Sequence, residues 1–341
     1  MNFIFPYKLV ILVGIILLLS MFECGSGKRK TVWIKDKIEY ERSYSSCLFF
    51  TPKMGLLGGG KEGDAYCWKT TDGGRHWQQQ KLACGSVDDL TERDWVVYAT
   101  VEKREKDTML YTHSIYTSTD QGESWQLKCK MVTEESFVEL LVLDGKRMFM
   151  VLNQGLLETL NGGKEWQMVR NDICRKVSVD DKYLYYRINR SRISPKYIPI
   201  HYLVRHSLKS GREQMRKLPD GIEVEATCGN VVILAKERYL RSYRIEEDMS
   251  LTFLGQMKEQ AYSVDYMNRC GNQLFANLFI DQGTQKLFYS PDGGVHWEYS
   301  GKSTTREPTC MLADSTHVRI YIFDSPYYLS SYTHERIWAD K

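Results

Sequence analysis

The chain has 341 residues, a formal net charge of +3 and 12% aromatic residues, 22 of them tyrosines. This length suits one large domain, and the mild charge, with no Lys/Arg tract beyond Lys28-Arg29-Lys30, excludes a typical basic nucleic-acid-binding protein.

The first 24 residues have the pattern of an export signal. Lys8 precedes an apolar run over residues 9–22, which is short for a membrane span and suits the core of a signal peptide. Cys24 follows directly, as in bacterial lipoproteins, whose mature chain begins at a lipid-modified cysteine. We therefore predict a signal peptide over 1–23, a tether over 24–32 and lipid attachment at Cys24, on the periplasmic or outer side of a bacterial envelope membrane.

Two alternatives to lipidation stay open. Glu23 departs from the small residue usually found before a lipidated cysteine, so ordinary signal-peptide cleavage also fits. An uncleaved membrane anchor with a cytosolic domain fits as well, because the positive charge of Lys28-Arg29-Lys30 disfavours export of the domain after it.

One eight-residue pattern, Ser/Thr-x-Asp/Asn-x-Gly-x-x-Trp, occurs four times. Its fixed residues are Thr70, Asp72, Gly74 and Trp77; Ser118, Asp120, Gly122 and Trp125; Thr159, Asn161, Gly163 and Trp166; and Ser290, Asp292, Gly294 and Trp297. Glycine supplies the positive φ of a tight turn, and the Asp or Asn side chain bonds to the turn's own amides. A carboxylate used in this way has little acceptor capacity left, so the pattern predicts structural turns rather than catalytic acids.

The spacing of the turns predicts the architecture. Asp72 and Asp120 are 48 residues apart, Asp120 and Asn161 are 41 apart, and Asn161 and Asp292 are 131 apart, which is about three further periods. A period in the forties with short strands is typical of a four-stranded propeller blade. Degenerate copies at 205–211, 243–248 and 329–338 bring the number of units to seven.

Between the turns lie runs of β-branched and aromatic residues at matching positions, which predict the buried second strand of each unit. These runs are 95–101, 147–152, 183–188, 231–235, 273–280 and 318–323. We predict an all-β, seven-bladed β-propeller over 33–341, with a six-bladed ring as the alternative and with the turns between the third and fourth strands of several blades.

The four turns resemble Asp-box repeats, also called bacterial neuraminidase repeats. Such repeats occur in sialidases, other glycoside hydrolases, sortilin-type receptors and propellers similar to photosystem II assembly factors. Residues 58–74, a glycine-rich strand running into Thr-Thr-Asp-Gly-Gly, most resemble the last group. The resemblance covers roughly 40–341 and is specific for fold but not for function. It implies that the turns mark the face opposite the functional one.

Eight cysteines remain without Cys24, and eight cysteines allow 105 pairings. Cys228, Cys270 and Cys310 occupy equivalent places in their units, too far apart to bridge, so we expect buried packing residues. No CxxC or Cys/His cluster exists, and we expect neither a metal nor a cofactor.

Sequence signals for catalysis are weak. The Phe-Arg-Ile-Pro segment of sialidases is absent, and Tyr197-Ile198-Pro199 lies mid-chain without its arginine. The adjacent carboxylates Asp88-Asp89, Glu134-Glu135, Asp180-Asp181 and Glu246-Glu247 are expected to be solvated loop ends, since neighbours on a strand point to opposite faces.

The face opposite the turns carries two long loops, 102–113 and 189–201. We identify candidate partner-binding residues there: Lys103, Arg104, Arg190, Arg192, Lys196 and Tyr197. The alternative is that these loops are ordinary solvated insertions.

We therefore predict a non-catalytic, monomeric propeller that binds a protein or glycan partner, in assembly or inhibition. The alternative is a sialidase-like or other exported glycoside hydrolase, and the question of enzyme activity stays open. Arginines or carboxylates that converge at the centre of the face opposite the turns would favour the hydrolase. A broad aromatic and basic face would favour the binding protein.

Overall fold

A computed structural model describes residues 34–39, 44–192, 198–270, 272–281, 283–304, 310–313, 317–325 and 328–335. Their regular secondary structure is entirely β-strand, beginning with β1 (Ile34–Glu39). Among these residues there is no helix of the length and apolarity that a membrane crossing requires. The predicted signal peptide, the tether and Cys24 lie outside the described residues.

Six antiparallel sheets are each built from four consecutive strands, with chain order as spatial order. Sheet 1 contains β2 (Tyr44–Phe49), β3 (Gly55–Lys61), β4 (Asp64–Thr70) and β5 (Gln78–Cys84). Sheet 2 contains β6 (Ser86–Arg93), β7 (Val96–Arg104), β8 (Tyr111–Ser118) and β9 (Gln126–Thr133). Sheet 3 contains β10 (Phe137–Val142), β11 (Met148–Leu152), β12 (Gly155–Thr159) and β13 (Gln167–Arg170).

The second half of the chain repeats this arrangement. Sheet 4 contains β14 (Cys174–Val179), β15 (Tyr183–Arg192), β16 (Ile198–Ser207) and β17 (Glu213–Lys217). Sheet 5 contains β18 (Glu223–Cys228), β19 (Val231–Lys236), β20 (Tyr239–Ile245) and β21 (Leu251–Gln260). Sheet 6 contains β22 (Ser263–Cys270), β23 (Gln273–Asp281), β24 (Thr284–Ser290) and β25 (Glu298–Thr304). A further sheet joins β26 (Cys310–Ala313), β27 (His317–Ser325) and β28 (Tyr328–Glu335) to β1, which pairs with β28.

The all-β prediction is confirmed, and so are the six predicted second strands. They correspond to β7, β11, β15, β19, β23 and β27, each of which is the second strand of its sheet. In β11 all five residues are buried, as expected for a strand covered on both faces.

Two of the three degenerate turns also lie where they were predicted, between β16 and β17 and between β20 and β21. The third prediction was wrong, because residues 329–335 continue strand β28. In this segment Thr333 stands where the turn pattern has Asp, and Glu335 stands where it has Gly. Thr333 is a poorer acceptor for the amides of the turn, and Glu335 does not readily adopt the positive φ that the turn needs.

Successive sheets from 1 to 6 pack face to face, and each of the five interfaces has its own apolar core. Because side chains alternate in direction along a strand, one strand contributes residues to two of these cores. In β15, Tyr185 packs with Val224 towards sheet 5, whereas Tyr186 packs with Phe149 towards sheet 3. A central sheet therefore has two buried faces.

The four turns share one hydrogen-bond pattern. In the first, the Thr70 hydroxyl donates to Asp72 Oδ1 (2.9 Å) and accepts from the Gly74 amide (2.8 Å). Asp72 Oδ1 also accepts from the His76 amide at 3.0 Å. The Trp77 indole donates to the Gly74 carbonyl at 3.0 Å, a bond that Trp297 repeats with Gly294 but that Trp125 and Trp166 do not make. Backbone and side-chain hydrogen bonds from His76 hold the pKa of Asp72 well below its usual range. This carboxylate is occupied within the turn.

The second, third and fourth turns also contact the preceding sheet through the fixed glycine of the pattern, Gly122, Gly163 or Gly294. A Cβ placed on Gly122 would lie 2.6 Å from Leu56 of sheet 1, and one on Gly163 would overlap Cys129 of sheet 2. Around the fourth turn, the Trp297 indole donates to Ser242 of sheet 5 at 3.2 Å. The turns therefore connect neighbouring sheets as well as strands within a sheet.

Sheets 4 and 5, whose turns lack the Asp and the Trp, are joined by an arginine instead. Arg205 is 3% exposed, and its guanidinium lies 4.4 Å from the Tyr183 ring centroid. It donates to Gln214, at the place of the missing Trp, and to the Glu246 carbonyl of sheet 5 at 2.8 Å. This arginine provides the inter-sheet link that the turn provides elsewhere.

We expect Thr70→Val to lower the free energy of unfolding by about 1–3 kcal/mol, because the buried Gly74 amide loses its acceptor without a change of side-chain volume. Denaturant unfolding measures this loss. Thr91→Val, on β6, is the control and should leave stability within about 0.5 kcal/mol. Equal stability of the two variants would show that the hydroxyl does not hold the turn.

Candidate functional site

The alternating strand directions define two sides of these sheets. The turns between first and second strands, and between third and fourth strands, lie on one side, which we call the turn side. Loops between second and third strands and the connections between sheets lie on the other, which we call the loop side. Four of the candidate residues predicted from the sequence, Lys103, Arg104, Arg190 and Arg192, belong to the loop side.

The structure places these predicted residues on two sheets. Lys103 and Arg104 end strand β7, where Lys103 Nζ bonds to Glu105 at 2.8 Å. Arg190 lies on β15, 5.7 Å from the Tyr202 ring centroid and 3.3 Å from Asp172. The backbone of Arg192 also belongs to β15, but its side chain, like the whole of Lys196 and Tyr197, lies outside the described part of the chain.

A second loop-side feature was not predicted from the sequence. Arg238 lies 4.0 Å from the ring centroid of Tyr262, which is 55% exposed, and donates to the Ile280 carbonyl at 3.0 Å. The Tyr262 and Phe279 ring centroids are 6.0 Å apart. We call Arg238, Tyr239, Tyr262 and Phe279 the aromatic–basic patch.

This patch arises because sheets 5 and 6 pack against each other, and no local sequence motif specifies it. Glu237 and Arg238 form a two-residue hairpin turn with positive φ at both positions, without the Asn-Gly that normally announces it. The sequence offered one signal for this patch: Arg238 and Tyr239 lie at a hairpin on the loop side, where side chains are exposed.

Carboxyl groups gather on the innermost strands near the loop side. Asp88 and Asp89 lie on β6 and Glu139 on β10, and the charge of Asp89 acts on both of the other two. The expectation that Asp88-Asp89 is a solvated loop end was therefore wrong, since both residues lie within a strand and are partly buried. The other three carboxylate pairs do lie in turns or connections.

Bulges explain why these carboxyls face inward. The register of β6 shifts between Val87 and Asp89, and that of β10 shifts between Phe137 and Glu139. A bulge turns a side chain away from regular alternation and leaves backbone groups without ladder partners. Asp89 accepts a hydrogen bond from one of these, the Leu140 amide, at 3.3 Å.

Burial sets the ionisation of the three groups. It raises the pKa of Asp88 to about 6, with Glu102 and Asp89 adding repulsion, and raises the pKa of Asp89 to about 6. For Glu139, burial and then the charge of Asp89 raise the pKa to about 8. Carboxyl groups this close to neutrality can exchange protons at physiological pH.

The cysteines and histidines of the described residues form no metal site, since no group of three His, Cys, Asp or Glu side chains there has a suitable arrangement. Cys67, Cys84, Cys129, Cys174 and Cys228 carry free thiols. Cys67 and Cys174 are buried and Cys84 is exposed. Cys228, one of the three cysteines expected to be buried, is half-buried and packs against the core between sheets 5 and 6.

No protein-family model and no curated protein matches the chain. Among solved structures, it is similar to the β-propeller domain of the Trilobed protease from Pyrococcus furiosus, with a TM-score of 0.57 and 10% identity over 87% of this chain and 97% of that one. It is also similar to an ancestral GH74 enzyme, with a TM-score of 0.50 and 11% identity over 84% of this chain and 48% of that one. The chain thus spans about half the length of that enzyme. These similarities show a β-propeller fold and nothing of the activity.

Because the raised pKa of Glu139 belongs to the folded state, we expect a pH-dependent loss of stability. Folded and unfolded chains both keep the Glu139 proton below the ordinary value of 4.5. Between pH 4.5 and about pH 8 the unfolded chain releases the Glu139 proton and the folded chain keeps it. The free energy of unfolding therefore falls as the pH rises through this window. Glu139→Gln removes this contribution, and its melting temperature should rise relative to the wild type between pH 5 and pH 9.

The matched control is Glu134→Gln, an exposed position three residues before β10. Its melting temperature should follow the wild type across the same pH range. Parallel curves for Glu139→Gln and the wild type would mean that Glu139 ionises normally.

Proposed function

We propose that the chain is a non-catalytic propeller that binds a protein or glycan partner through its loop side. The observation that carries this proposal is the aromatic–basic patch, where Arg238 covers one face of the half-exposed Tyr262. Tyrosine and arginine are the residues that most often dominate binding energy, because they combine large contact area with directed hydrogen bonds.

The turn side supports this choice by its chemistry. The carboxylates of Asp72 and Asp120 are occupied by amides and hydroxyls of their own turns, and hydrogen bonds lower the pKa of both. Groups with their acceptors already filled make poor ligand contacts. The loop side also carries exposed basic and aromatic groups, including Arg104, Arg190 and Tyr239.

We also propose a ring of seven blades, in which β1 completes the last blade by pairing with β28, and a six-bladed ring is the alternative. A lipidated Cys24 would tether this ring to a bacterial envelope membrane, which the intact mass of the membrane-extracted protein tests. In that location the protein would act in assembly or inhibition. The turns are then Asp-box repeats in their structural role.

A second function, glycoside hydrolysis, is favoured by one observation. Glu139 and Asp89 have pKa values of about 8 and about 6, so at neutral pH one could donate a proton while the other is largely ionised. A panel of aryl glycosides tests this function. Turnover by the wild type that Glu139→Gln abolishes would replace the binding proposal, and no turnover on any of them would count against a hydrolase.

For the binding function, Arg238→Ala/Tyr262→Ala should reduce partner capture from bacterial envelope extract to background, because both contact groups of the patch are lost. Quantitative mass spectrometry of the captured proteins and glycans measures this. The control is Trp95→Ala, which removes an 81%-exposed aromatic from the turn side and should leave capture unchanged. Loss of capture with Trp95→Ala alone would move the binding surface to the turn side.

A further inference from the structure

We propose that Asp88, Asp89 and Glu139 form a socket for the ammonium or guanidinium group of a Lys or Arg side chain on a protein partner. This inference rests on the proposed binding function and specifies the partner's chemistry. It is carried by the hydrogen-bond and charge balance around the three carboxyls.

The socket has no counter-charge of its own. None of its three carboxyls forms an ion pair with any residue in the described ranges. Buried carboxylates are normally paired with a cation or coordinate a metal, because transfer from water is costly. Here burial raises the pKa of all three groups, and a cation from a ligand would oppose that shift.

The polar groups next to the socket lack donors. His113, 1% exposed, points Nε2 at the Glu135 carbonyl at 3.0 Å, so Nε2 carries the hydrogen and Nδ1 is an acceptor. Nδ1 is 3.6 Å from Glu102 Oε2, another acceptor, and has no hydrogen-bond partner. The Thr100 hydroxyl, also 1% exposed and opposite Asp89 in the strand pairing, has none either.

These unpartnered groups are independent evidence for a ligand at this place. An ammonium group brings three N–H donors and a guanidinium five, with a positive charge. A bound metal ion would need a compact set of ligands, and the described residues contain no such set. An ammonium or guanidinium group brings its own N–H donors and binds through hydrogen bonds and charge, so it does not need such a set.

The same groups define how binding should depend on pH. Glu102 lies beside Asp88 and has a pKa raised by burial, whereas burial lowers the pKa of His113 and keeps it neutral. Only the carboxyls therefore change charge in the relevant range. A cation favours their ionised form, so its binding releases protons and tightens as pH rises.

The experiment titrates the full chain with Nα-acetyl-lysinamide and Nα-acetyl-argininamide, with Nα-acetyl-glutaminamide as the neutral probe, by NMR and by calorimetry in two buffers of different ionisation enthalpy. We expect both cationic probes to bind and the neutral probe not to bind. The Kd of the cationic probes should be at least about tenfold lower at pH 8.5 than at pH 5.5, because Asp89, with a pKa of about 6, and Glu139, with a pKa of about 8, ionise between these two pH values. The buffer dependence of the enthalpy should report proton release.

Glu139→Gln should raise the Kd of the lysine probe about tenfold or more at pH 8.5, whereas Glu134→Gln should leave this Kd unchanged. NMR spectra of both variants report whether the fold is kept. Equal binding of the three probes, pH-independent affinity, or equal loss in the two variants would each overturn the socket.

The outcome also separates this inference from the function on which it rests. If the patch variant abolishes partner capture while the cationic probes do not bind, the binding function stands and the socket is wrong. If the probes bind but no partner is captured through the loop side, the protein-partner inference fails with the proposed function. Binding of free lysine and arginine amides alone would then describe a small-molecule site.

Discussion

Contacts between neighbouring sheets depend on how backbone amides next to the bulges of the innermost strands find hydrogen-bond acceptors. Three of these amides are bonded by side chains of the preceding sheet: Leu90 N by Ser46 Oγ at 3.0 Å, Leu140 N by Asp89 Oδ2 at 3.3 Å and Val264 N by Glu225 Oε2 at 3.2 Å. A buried amide without a partner costs about 1–3 kcal/mol. Each such bond therefore both offsets the cost of a bulge and fixes one sheet against the next.

The turn side repeats this principle with different groups. There the Gly122 and Gly163 positions allow close approach to the preceding sheet, and a side chain at either would collide with it. Where the turn has lost its Asp and Trp, Arg205 makes the inter-sheet contact instead. The acidic side chains that most resemble catalytic acids are thus used within their own turns, and the second, third and fourth turns contact the preceding sheet.

Near the loop side, the bulges have the opposite consequence. Asp88 and Glu139 are brought close to Asp89 without a cation in the described structure to neutralise them, and their pKa values rise. Sequence neighbours on one strand were expected to point apart, but the bulge removes that alternation. Uncompensated carboxyls and the exposed Arg238–Tyr262 pair give this side a chemistry that the turn side lacks.

The sequence by itself determined the strands, the turns and their period, because these depend on local interactions. The bonds among Thr70, Asp72 and Gly74 lie within five residues, and β11 is apolar throughout. It also indicated which side should carry function. Only the tertiary structure decided what that side contains. Arg238 lies in a hairpin turn of sheet 5 and Tyr262 in the connection to sheet 6, while Asp89 and Glu139 lie on different sheets. The proximity within each pair arises from bulges and face-to-face packing that no local pattern encodes. Residues 329–335 resembled a turn in the sequence but form a strand. They pair with β27, and the turn pattern there has lost its Asp and Gly.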